Sequence, residues 1–195
     1  MPRFWVLSKV EALPQSPCPP LDDADWPEQI SDLRDGFAGA LNVYRTMAHN
    51  PALLRAWAPL RQHVVKDSQL GPVRSEVVIL RTGLRLGSEY EWAHHVSRAR
   101  ALGLKDDRIA AIAGMPDGED GLIVRAVDAL IDDKHLSLEQ EAELAAVIGR
   151  EAVIDLIATV GFYSVLGYLL RTYQTPIDAH VAAEMEASPL GAQPF

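Results

Sequence analysis

The 195 residues are enough for one domain with a single sizeable core. Their 48% apolar and 23% charged composition is that of an ordinary soluble globular protein. A net charge of −9 argues against nucleic acid or an anionic membrane surface as a partner. An anionic small molecule can bind only where arginines outvote that field locally.

In chain order, residues 1–26 read as an irregular arm, because Pro14, Pro17, Pro19 and Pro20 block helix and no alternating strand pattern appears. The run Phe4 to Leu7 is too short for a signal-peptide core. The sole cysteine, Cys18, lies in this arm, so the chain has no Cys-x-x-Cys redox pair and no thiolate metal cage. Residues 27–176 then read as one helical domain, followed by a tail over 177–195. Pro27 suits a first helical turn, with Ile30 and Leu33 at helical spacing. Phe37 to Met47 continues as helix until His49-Asn50-Pro51. Pro51 starts the next helix, whose expected inward positions are Leu53, Leu54, Trp57, Leu60 and Val64.

Gly71-Pro72 opens a helix running to Gly87, and Ser88 caps another that ends at Gly103. Asp106 to Ile112 is a short helix, Met115 to Gly118 a turn, and Leu122 to Ile131 helical again. Ser137-Leu-Glu-Gln140 has capping-box form and starts a helix ending near Gly149. Glu151 to Tyr173 is apolar nearly all round, as in a helix buried on most sides. Its apolar stretch, Leu156 to Leu170, falls short of the ~20 residues of a membrane span. Gly161, Ser164 and Gly167 in it permit close helix approach. The fold class is all-α, a single-domain bundle, and a cytoplasmic protein is the default.

Chemistry-bearing residues concentrate in Ser88-Glu-Tyr-Glu-Trp-Ala-His-His95 and in Glu76 upstream. At ~100° per residue, Glu76 shares the apolar side of its helix with Val73, Val77, Leu80, Gly83 and Leu84, while Arg74, Arg81 and Arg85 lie opposite. No neighbour on that helix pairs this carboxylate. It is either a structural buried Glu or an acid or base whose pKa burial raises. Gly83 removes a side chain where another element could approach. On the next helix Trp92, Val96, Ala99 and Gly103 define the inward stripe. His95 lies at its edge and His94 on the polar side beside Arg98.

Glu91 and His95 are four residues apart and share a face, so a carboxylate can orient the imidazole for proton transfer. Ser88 and Glu91 also have capping-box spacing, and Glu91 can serve as a cap, as a catalytic group or as both. Glu-x-x-x-His matches metal-ligand spacing too, but no second His or Cys set accompanies it, and no metal is expected. The candidate proton-transfer residues are therefore Glu76, Tyr90, Glu91 and His95, with Ser88 and Trp92 as candidate substrate contacts. His49, His63, His135 and His180 match no pattern.

These passages, with Ala48-His-Asn-Pro-Ala-Leu-Leu54, Arg74-Ser-Glu-Val-Val-Ile-Leu-Arg81 and Ala101-Leu-Gly-Leu104, resemble the carboxymuconolactone decarboxylase and alkylhydroperoxidase D superfamily. The peroxidase branch of that superfamily uses a Glu, a Cys-x-x-Cys pair and a His. Glu76 and His95 match the Glu and His, but Ser88 and Glu91 stand at the cysteine positions, with Tyr90 between them. A serine cannot cycle through sulfenic acid, so thiol peroxidase activity is disfavoured.

The decarboxylase branch does not need the cysteines, and Tyr-Glu-Trp-x-x-His resembles its motif. The resemblance implies an alkylhydroperoxidase D-like helical bundle, commonly trimeric or hexameric. Its expected activity is a lyase or isomerase reaction on a small unsaturated oxo-acid or lactone, with no cofactor. The competing expectation is a non-catalytic small-molecule-binding or oligomeric protein of the same fold.

Overall fold

Glycine, proline and short polar residues punctuate the chain, and the helices of the computed structural model, which describes residues 16–191, begin and end at them. Residues 1–15 of the expected arm lie outside the described residues. Single 3₁₀ turns at Asp23–Asp25 and Glu28–Ile30 precede α1 (Ser31–Leu33) and a widened turn at Arg34–Ala38. Then follow α2 (Asn42–Met47), α3 (Pro51–Gln62) with a widened extension His63–Asp67, α4 (Gly71–Arg85), α5 (Glu89–Ala101) and α6 (Asp106–Ala111). The chain continues through α7 (Gly118–Asp132), α8 (Leu138–Ile148), α9 (Arg150–Thr172) and α10 (Ala179–Ala187). No strand occurs among the described residues. The all-α bundle expected from periodicity is the fold observed.

Helix α4 lies at the centre, against α5, α7 and α9. One hydrophobic cluster joins Val77, Leu80, Trp92 and Val96 to Ile123, Leu156 and their neighbours; a second joins Met47, Leu54, Trp57, Ile79 and Phe162. Trp57 stacks on Phe162 with ring centroids 4.4 Å apart. Helix α9 is 23 residues long and apolar enough to cross a membrane by composition, but 56% of that apolar window is buried in the bundle, as in a core helix.

Four local expectations are corrected. The helix expected over Phe37–Met47 is broken at Leu41, which is extended. Asn42 restarts the helix with its N–H donated to both carboxylate oxygens of Asp178, at 3.1 and 3.3 Å. A cap supplied from 136 residues away is invisible to local pattern. On α3, Leu54 and Trp57 are buried, as is Val64 just beyond, whereas Leu53 and Leu60 are 39% and 44% exposed, so the inward stripe is narrower than expected.

Arg81, expected on the polar side, is buried. It is held by Asp128 at 2.6 and 2.8 Å and donates to the carbonyls of Ile112, Ala113 and Gly114. Of the small residues on α9, Gly167 receives Leu86, whose Cδ1 would stand 3.0 Å from an added Cβ, while Gly161 faces open space.

Gly83 does what its missing side chain suggested. A Cβ there would meet the Glu91 Cβ at 3.0 Å and the Trp92 N at 3.4 Å. These atoms belong to the α5 backbone and its first side-chain carbon, which cannot swing away. Gly83→Ala is expected to cost about 1–3 kcal/mol by overpacking, outweighing the gain in helix propensity, with urea unfolding as the measurement. A stability equal to wild type would contradict the close α4–α5 packing.

Candidate active site

The approach at Gly83 sets the spacing between α4 and α5 and brings Glu76 to His95. Their side chains are 9% and 4% exposed, and Glu76 Oε2 lies 2.5 Å from His95 Nδ1. The carboxylate that found no partner on its own helix is paired by the next one. His95 Nε2 lies 3.5 Å from Glu91 Oε2, one turn back on α5. Both ring nitrogens therefore face carboxylate oxygens. Burial disfavours the charged ring, but Glu76 and Glu91 together outweigh it and push the His95 pKa up to about 9. At neutral pH the group is an imidazolium between two carboxylates, with Tyr163 edge-on to the ring at 5.0 Å.

Ser88 is the N-cap of α5: its Oγ accepts the Glu91 N–H at 3.4 Å. The reciprocal arm of a capping box is not made, because the Ser88 N–H donates to the Gly83 carbonyl at 2.8 Å. At Ser137 and Gln140 both arms form. The Glu91 carboxylate is thus free of capping, and its Oε1 is buried with no hydrogen-bond partner among the described residues. Unsatisfied buried oxygens are rare in native folds and mark functional or strained sites.

His94 is corrected. It is 7% exposed rather than on the polar side; its Nδ1 donates to the Tyr90 carbonyl at 2.8 Å and its Nε2 lies 2.8 Å from Asp178 Oδ2. Its ring stacks on Tyr90 at 3.9 Å. The Tyr90 hydroxyl donates to the same Asp178 oxygen at 2.5 Å and accepts from the Val43 N–H at 3.2 Å. Burial first, then the Asp178 carboxylate, hold the Tyr90 phenol far above its ordinary pKa, so it stays neutral. Burial works to raise the Asp178 pKa, but hydrogen bonds from His94, Tyr90 and Asn42 leave it below the usual carboxylate value. Tyr90, expected as a donor to the reacting centre, gives its proton to this cluster instead.

A cavity of about 360 Å³ opens on this wall, lined by Tyr90, Glu91, His94 and His95, by Tyr163 from α9, and by Arg61, Arg98 and His180. Glu76 opens on the other side, into a smaller cavity of about 270 Å³; Arg98 and Tyr163 line both. Two expected substrate contacts are placed elsewhere. Trp92 packs in the core with Val77 and Val96, and Ser88 is buried as the cap; neither lines the larger cavity. Sequence reasoning missed Asp178, Arg61, Arg98 and His180, which come from elements whose neighbours no local pattern reports. No group of three His, Cys, Asp or Glu among the described residues is arranged to hold a metal.

Helix order and packing define an all-helical protein of the alkylhydroperoxidase D-like type. Residues 51–130, the span from α3 through most of α7, match the model of the carboxymuconolactone decarboxylase family. The fold is shared with a cysteine-to-alanine variant of the debrominase Bmp8 in complex with 2,3,4-tribromopyrrole. That pair has TM-score 0.73 and 18% identity, covering 89% of this chain and 97% of the other. It is also shared with an uncharacterized peroxidase-related protein from Silicibacter sp. TM1040, at TM-score 0.71 and 14% identity over 90% and 97% of the two chains. Identities this low carry the fold alone. No curated protein matches the chain as a relative.

Proposed function

We propose that the protein is a cofactor-free proton-transfer lyase resembling 4-carboxymuconolactone decarboxylase, acting on a small unsaturated oxo-acid or lactone. The observation that carries this reading is the Glu76–His95–Glu91 chain, whose His95 and Glu91 line a substrate-sized cavity while Glu76 backs the ring from the other side, with an imidazolium at its centre. Loss of carbon dioxide breaks a C–C bond whose electron pair passes into the conjugated system towards the carbonyl. The resulting enolate carbon must then take a proton. Nδ1 is locked to Glu76 at 2.5 Å, while the 3.5 Å separation leaves the Nε2 proton loosely held by Glu91 and free to transfer. Glu91 and Glu76 then assist reprotonation of the ring. A cysteine pair plays no part: the sole cysteine, Cys18, does not line the cavity.

The test is to follow ultraviolet absorbance of carboxymuconolactone and related unsaturated lactones with wild type, Glu76→Gln and His95→Ala. Turnover by wild type and its loss in the variants supports the reading. Equal inertness of all three overturns it in favour of a binding protein of the same fold.

A homo-oligomer in the cytoplasm is part of the same proposal. On α9, Ile154, Ile157 and Tyr168 are 62%, 45% and 61% exposed and share one face with Gly161, an apolar stripe suited to a second copy. Light scattering is expected to give a multiple of 21.4 kDa for wild type and a smaller assembly for Ile157→Glu. A wild-type monomer would refute this.

A further inference from the structure

Arginines in this acidic chain are almost all neutralised. Among the described residues, every arginine except Arg61, Arg98 and Arg171 lies within 4.0 Å of a carboxylate oxygen. Two of those three exceptions line the same cavity, the one that holds His95. Arg171, the third, donates to the Leu86 carbonyl on an exposed surface.

The two cavity arginines are held differently. Arg61 uses Nε to donate to the Tyr44 hydroxyl at 3.2 Å, and its guanidinium lies 4.3 Å over the Phe37 ring. Its two terminal nitrogens keep their donors unspent. Arg98 lies seven residues after Glu91 and three after His95, on the same face of α5, and its guanidinium makes no hydrogen bond among the described residues. Both side chains are half-buried, where screening by water is reduced. The charge of His95 is offset by Glu76 behind it, 2.5 Å from Nδ1, so the lining of this cavity sets two guanidinium groups against the one carboxylate of Glu91, a local positive excess within a chain of net charge −9.

We propose that Arg61 and Arg98 form an anion subsite that anchors a substrate carboxylate retained through the reaction, and so determine specificity. This rests on the lyase reading and adds its substrate class. An arginine pair gripping the departing carboxylate would stabilise a charge that the transition state loses, which slows decarboxylation. The gripped group is therefore a second one. A substrate that loses carbon dioxide here carries at least two carboxylates, and one that is only isomerised carries at least one. Arg61, its guanidinium held over the Phe37 ring, presents a planar fork suited to bidentate carboxylate binding.

The probe is cis,cis-muconate, with its dimethyl ester as the uncharged counterpart, titrated calorimetrically into wild type, Arg61→Met, Arg98→Met and Arg171→Met. Wild type is expected to bind the dianion at least about tenfold more tightly than the ester. Arg61→Met and Arg98→Met each lose about tenfold for the dianion alone, while Arg171→Met binds as wild type does. Thermal melts establish that each variant is folded, and Arg61→Lys and Arg98→Lys report partial rescue if the first replacements do not fold. The subsite is overturned if wild type fails to bind the dianion, binds both probes equally, or is unaffected by either cavity replacement. Dianion binding through the arginines with no turnover of any lactone sinks the lyase reading and leaves the subsite standing. Turnover with a KM insensitive to both arginines does the reverse.

Discussion

Replacing His95 by alanine is expected to lower kcat by about 10²–10⁴-fold, the range over which a positioned general acid acts. KM should move far less, because the arginines rather than the imidazole anchor the substrate. His95→Gln, which keeps a donor but cannot release its proton, should be as impaired. The rate of wild type should fall as pH rises through about 9, the value at which the imidazolium loses its proton. A rate that instead rises through pH 9, or a profile unchanged by Glu76→Gln, would remove His95 from the role of acid.

The same proton contributes to stability. The ordinary histidine value is 6.5 and the folded value about 9, so the folded state binds the proton more tightly. The contribution is fully present below pH 6.5 and is lost as pH rises through about 9. By linkage it is on the order of 3 kcal/mol across that window, readable as a decline in urea midpoint that His95→Ala abolishes.

The largest loss of stability is expected from Arg81→Met. That guanidinium bridges α4 to Asp128 on α7 and to three consecutive carbonyls, Ile112, Ala113 and Gly114, that follow α6. Removing it leaves those carbonyls without a shared donor. Asp128 keeps only Arg85, at 2.7 Å. Breaking a buried pair from one side costs about 3–5 kcal/mol, a large share of a domain's total stability. Asp128→Asn should cost less, and the double replacement should cost less than the two singles added together. If Arg81→Met shifts the unfolding free energy by under about 1 kcal/mol, the group is not the structural tie described.

The helices and the central pair were legible because their signals are local. Glu76 on an apolar stripe, His95 at the edge of the next and Gly83 between them are statements about helical phase, and phase survives folding. His94 and Arg81 were misread for one reason: phase says which side of a helix a residue occupies, not what will cover that side. Asp178 covers one, and Asp128 with the carbonyls after α6 covers the other. The break before Asn42 has the same origin, since its cap arrives from beyond α9. Arg61 and Arg98 could not be singled out among many arginines until the partners of all the others were known.

Asp178 also bears on the order in which the molecule can assemble. Its carboxylate joins Asn42, Tyr90 and His94, so that wall of the cavity is closed by a contact spanning 136 residues, after every other major helix has been synthesised. Contacts of such sequence separation carry the largest loop-closure entropy and form late. The helical body can be largely in place while the cavity still lies open at α10. A nascent or partly unfolded chain would then hold the proton-transfer pair but not a closed pocket, and amide exchange should be faster in α10 than in α4.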